Sequence, residues 1–70
     1  MDFAGEISNP FGNCPNVAFG VDSVVVVTDN ETNYDKGKCG DLRRGRNIRG
    51  SGLMQSNGTV KATDIRFSKD

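Results

Sequence analysis

Val17-Ala18-Phe19-Gly20-Val21-Asp22-Ser23-Val24-Val25-Val26-Val27-Thr28 is the stretch on which the fold turns. Val17, Phe19 and Val21 alternate with Ala18 and Gly20, the period of a half-buried strand. Asp22-Ser23 then offers a two-residue connection to a run of four valines that does not alternate at all. A hairpin with that turn sets Val21 opposite Val24, Phe19 opposite Val26 and Val17 opposite Thr28, six residues on one core-facing side. Val25 and Val27 then point the other way, beside Ala18 and Gly20. One face of the hairpin is core and the other is still apolar.

Outward from this hairpin the chain keeps reading as strands and turns. Residues 3–8 alternate as a first strand that stops at Asn9-Pro10, and residues 11–16 read as a loop carrying Cys14. Residues 29–40 are polar and irregular, with Tyr34 their one large side chain. Residues 39–45 suit a single helical or 3₁₀ turn, capped by Asp41, ended by Gly45 and anchored inward by Leu42. Residues 46–54 form a fourth strand whose Gly50 and Gly52 permit a sharp bend. Asn57-Gly58 predicts a type I′ hairpin. In the last strand, residues 60–67, the apolar positions change parity between Ala62 and Ile65, which predicts a bulge near Thr63. The fold class expected is all-β: one domain over residues 1–70, a small five-stranded OB-like barrel with one short helical turn between strands 3 and 4. An SH3-like barrel or an open meander are the alternatives.

Composition agrees with this class. Nine Gly, only two Leu and recurrent Val, Thr, Ser and Asn favour strands over helices. With 34% hydrophobic residues in 70, core packing alone leaves the domain marginal, so a further tie is expected. Cys14 and Cys39 are the two cysteines, and no His is present to complete a zinc site. They read best as a disulfide, which persists outside the cytoplasm; two separately buried thiols are the alternative. Nine acidic and nine basic side chains cancel, giving no net field toward a polyanion and arguing against nucleic acid. No apolar run spans a bilayer, and Met1-Asp2-Phe3-Ala4-Gly5 lacks a signal-peptide layout, so an exported form is expected to have lost its signal.

The spacing Cys14-Pro15-Asn16-x-x-Phe19-x-Val21, Val27-Thr28-x-x-Thr32, Gly37-x-Cys39-x-Asp41-Leu42-x-x-Gly45, Gly50 and Asn57-Gly58-x-Val60-x-Ala62-Thr63-x-Ile65 resembles a bacterial domain family of unknown function. That family is similar to OB barrels and occurs, often in tandem, in secreted proteins and lipoproteins. The resemblance covers nearly the whole chain and implies fold and export; it implies no activity. Arg46 and Asn47 depart from its pattern at the start of the fourth strand.

The residues for chemistry are few. Without His, and with both cysteines paired, the usual nucleophile and base cannot be assembled, so no enzymatic activity is expected. Asp22, Asp29, Glu31 and Asp35 lack the ligand spacing of a calcium loop, and neither a metal nor a cofactor is expected. Two surfaces remain. Ala18, Gly20, Val25 and Val27 form a candidate apolar face for a ligand, a neighbouring domain or a second copy, over which the loop around Phe11 is expected to fold. Lys36, Lys38, Arg43, Arg44, Arg46 and Arg49 concentrate cationic charge. Arg43, Arg44, Arg46 and Arg49, with Tyr34 as a stacking platform, are the alternative site for single-stranded nucleic acid or another anionic ligand. The leading expectation is a non-catalytic binding or interaction module of an exported bacterial protein.

Overall fold

The structure, a computed structural model, describes residues 1–68. Seven strands form one sheet: β1 (Asp2–Glu6), β2 (Ser8–Asn13), β3 (Asn16–Val21), β4 (Val24–Val27), β5 (Asn33–Asp35), β6 (Asn47–Met54) and β7 (Thr59–Phe67). A 3₁₀ turn, η1 (Cys39–Asp41), precedes β6. The hydrogen-bonded path runs β1-β6-β7-β4-β3-β2, with β5 also on β7. The domain is therefore all-β as expected, but the ladder describes a seven-stranded sheet that is not closed rather than five strands. The ends of its path, β1 and β2, are separated in the chain by Ile7 alone.

The central hairpin follows its sequence pattern. Val21 pairs with Val24 and Phe19 with Val26. Asp22 and Ser23 both take positive φ, 50° and 67°, the backbone a two-residue turn with the right twist demands. Val17, Phe19, Val21 and Val26 are buried, as is Thr28. The bulge in β7 is also where the change of parity places it: Ser51 faces Asp64 and Gly52 faces Ala62, so Thr63 is the extra residue. Its hydroxyl donates to the Ser51 carbonyl at 3.0 Å.

Four expectations need correction. Asn9-Pro10 does not end the strand pairing, and residues 11–16 are no simple loop, because β2 pairs with β3 from Ser8 to Asn13. Asn9 and Pro10 are instead accommodated as an irregularity opposite Phe19, Asn9 at φ 48°. An edge strand tolerates the proline because its missing N–H has no ladder partner to serve. Residues 33–35 form β5, since β7 is longer than β4 and offers Asp64–Arg66 as a further parallel partner. The helical turn stops at Asp41 rather than running to Gly45, and Asp41 reaches back from its end to accept the Lys38 N–H at 2.9 Å. The last hairpin is no type I′ turn: Gly58 donates to the Gln55 carbonyl at 3.0 Å, and Gly58 alone, not Asn57, takes positive φ.

The core draws on β1, β3, β4, β6 and β7, while β2 buries none of its residues in it. Phe19, Phe67, Ile7, Ile48, Ile65, Val21, Val26 and Val60 are its largest fully buried side chains, and Leu42 is buried as the anchor of the segment after η1. Gly37 lies against the Phe67 ring so closely that a Cβ would overlap it. Cys14, in the tight β2–β3 connection, is disulfide-bonded to Cys39 at the start of η1.

Candidate functional site

Cross-strand register determines what the outside of the sheet presents. Phe11 on β2 faces Ala18 on β3, Ala18 faces Val27 on β4, Val27 faces Lys61 on β7, and Lys61 faces Leu53 on β6. These residues lie on the side opposite the buried Val17, Phe19, Val26 and Val60, since successive side chains alternate across a strand. A parallel row places Gly20 beside Val25 and Val25 beside Thr59. The four residues of the candidate apolar face thus adjoin one another, Val25 46% exposed and the others half-buried.

Phe11 does not fold over this face. It extends it, 69% exposed, as the strand partner of Ala18, and Leu53 at 67% exposed terminates the row on the other side. Lys61 interrupts the apolar row with its stem and sends its ammonium to Asp29, 3.0 Å away. That pair holds the Asp29 carboxyl below its ordinary value, with the Glu31 amide adding to the effect, and raises the Lys61 ammonium.

The cationic residues do not gather as the sequence order suggests. Arg43 and Arg44 are exposed in the segment before β6, and Arg44 donates to the Asn9 side chain at 2.9 Å. The Arg46 guanidinium lies 5.0 Å over the Phe67 ring, in the cation–π range. Arg49, on the outside of β6, faces Arg66 on β7. Arg66 in turn faces Asp35 and pairs with it at 3.4 Å. Arg49 and Arg66 join Lys36 and Ser68 around a depression of about 410 Å³ at the edge of Phe67. They also line an adjoining groove of about 740 Å³ over β1, β6, β7 and β5, where Asp2, Asp35 and Asp64 stand beside them.

Tyr34 is half-buried and lines the larger groove with Arg49 and Arg66. It packs against the core and stacks on Phe67 with centroids 6.3 Å apart. Its hydroxyl is sealed from solvent and has no hydrogen-bond partner among the described residues. Burial pushes its pKa up, and the Thr28 hydroxyl, which donates to the Pro15 carbonyl at 2.7 Å, partly offsets this.

Sequence reasoning missed Leu53 and Lys61 on one surface and Arg66 on the other; it expected Phe11 to cover the apolar face rather than extend it, and it counted Lys36 within the cationic cluster. Arg66 was readable as outward, because Ile65 and Phe67 on either side are core. Its partnership with Arg49 depends on the register shift at Thr63, which pattern alone does not fix. Among the described residues no helix is long and apolar enough to cross a membrane. Compared with protein-family models, curated proteins and solved structures, the chain matches none.

Proposed function

We propose that this chain is a non-catalytic binding module of an exported bacterial protein, built on an OB-type plan and using the outer face of β2, β3 and β4 as its contact surface. The OB reading joins β1 and β2 through Ile7 into one bent strand and treats β4 and β5 as successive runs along one edge of β7. Five strands result, in the order strand, strand, strand, short helix, strand, strand, with the bent first strand contributing to both ends of the path. The Cys14–Cys39 disulfide is compatible with an extracytoplasmic location, which supports export, as does the resemblance to secreted and lipoprotein domains.

The observation that carries the binding assignment is the outward apolar row of exposed Phe11 and half-buried Ala18 and Val27, with exposed Val25 beside it. Scattered apolar residues on a surface need no explanation, but adjoining ones across three strands mark a surface that gains by being covered. The resembled family's tandem arrangement points to another copy of the domain as the covering partner. Sedimentation velocity over a concentration series tests it. The native protein associates with itself, and Val25→Ser with Val27→Ser abolishes association while the amide spectrum stays folded. Association that persists in the double variant, or a native protein that stays monomeric at millimolar concentration, removes the copy-to-copy reading.

A further inference from the structure

Lys36, Arg49 and Arg66 present an electrostatic arrangement that the fold does not need. Arg49 and Arg66 stand directly opposite on neighbouring antiparallel strands, where like charges are unfavourable. Both reach the same depression as Lys36. Arg46, over the Phe67 ring that floors it, adds a fourth cation nearby. Among the described residues the only carboxylate within ion-pair distance of these side chains is Asp35, which meets Arg66 at Nε. The cations outnumber Asp35 at the depression itself, whereas Asp2, Asp22 and Asp64 lie along the adjoining groove.

We infer that Lys36, Arg49 and Arg66 form a binding site for a phosphate-type oxyanion, free or carried as a terminal monoester. Guanidinium forks match the paired oxygens of such a group, and the lysine adds a mobile point charge. A bound dianion turns the repulsion between Arg49 and Arg66 into two attractions. The depression is wide enough for the group and open enough for whatever carries it. Arg43 and Arg44 stand outside the site, which separates it from a cationic track running along the chain.

Titration of ¹⁵N-labelled native protein with inorganic phosphate, and separately with methyl phosphate, at constant ionic strength tests the site. Saturable shifts centred on Lys36, Arg49, Arg66 and Phe67, absent with chloride, are expected. The tighter of the two probes identifies the source of the phosphate. Arg49→Gln weakens binding by about tenfold or more, the loss of a charge-assisted hydrogen bond, while Arg43→Gln leaves it unchanged. Lys36→Gln, on an exposed loop position, is the second variant if Arg49→Gln alters the fold. Shifts that do not saturate, that chloride reproduces, or that Arg43→Gln reduces equally overturn the site. A single-stranded oligonucleotide that binds more tightly than methyl phosphate, and depends on Arg43 and Arg44 as much as on Arg49, overturns it in favour of an extended nucleic-acid track.

Discussion

Thr32 shows what one side chain does where the sheet is interrupted. Between β4 and β5 the chain leaves the edge of β7, and the Thr32 hydroxyl donates to the Ala62 carbonyl at 2.9 Å while accepting the Asp29 N–H at 3.1 Å. The bond to Ala62 is buried and the one from Asp29 partly so. Thr32→Val keeps the shape and removes the bonds, and an unmet buried polar group costs about 1–3 kcal/mol, so a loss of about 2 kcal/mol is expected in urea unfolding. A change within a few tenths would show that water replaces the hydroxyl. Asp29 next to it makes a prediction of different sign on each side of neutrality. Its carboxyl is held below the ordinary 3.8, chiefly by Lys61, so its contribution is complete above that value and lost as pH falls through the lower folded value. The Lys61 ammonium is raised above the ordinary 10.5, so its share is complete below that value and lost as pH rises through the higher folded value. Lys61→Met should therefore lower the unfolding midpoint at about pH 7, and the difference should fade as the pH falls through the lower folded value of Asp29. Because both groups are solvent-accessible, the difference is small and shrinks with salt.

At the scale of elements, the most closely constrained pairing is β6 with β7. A Cβ on Gly50 would strike the Asp64 carbonyl oxygen and crowd the Phe3 ring, and one on Gly52 would strike the Lys61 carbonyl. These glycines let two backbones approach where the bulge at Thr63 bends the pair, as in the corners of small curved sheets. Gly50→Ala is expected to cost about 3 kcal/mol, at the upper end of overpacking because the obstacle is backbone rather than a side chain that can turn away. Its effect appears in the unfolding midpoint and in lost protection of β6 amides. The legibility of the fold divides along the same lines. The hairpin around Asp22-Ser23, the bulge and the inward Leu42 follow from periodicity and turn chemistry, which are local. β2 and β5 do not, because they exist only where another strand offers an unfilled edge: β2 absorbs Asn9-Pro10 as a distortion against β3, and β5 is ordered by the far half of β7. For the same reason Val25 and Val27 were readable as outward, whereas their continuation to Phe11 and Leu53, and the meeting of Arg49 with Arg66, rest on registers between distant segments.

For the whole molecule, the disulfide decides whether so small a sheet persists. A domain of this size has about 4–10 kcal/mol of net stability to lose. Cross-linking across a sequence separation of 25 restricts the unfolded chain by about 3.5 kcal/mol in the chain-entropy description. The bond joins the β2–β3 connection to η1, so it holds an edge of the sheet and the entry to β6 against one core. Urea unfolding with and without reductant should differ by about 3.5 kcal/mol, and Cys14→Ala with Cys39→Ala should behave as the reduced protein does. The loss should also be uneven. β2 is paired on one side only and carries its exposed Phe11, whereas β7 is paired along both edges and its inward Val60, Ala62, Ile65 and Phe67 are buried. Amide exchange on reduction should therefore accelerate first over Ser8–Asn13 and last over Thr59–Phe67, and the apolar row should come apart before the cationic depression does. Association of the domain would then be lost under conditions in which phosphate binding survives. Equal acceleration across all strands would instead mean that the bond stabilises the sheet as one cooperative unit, with no separate control over its outer face.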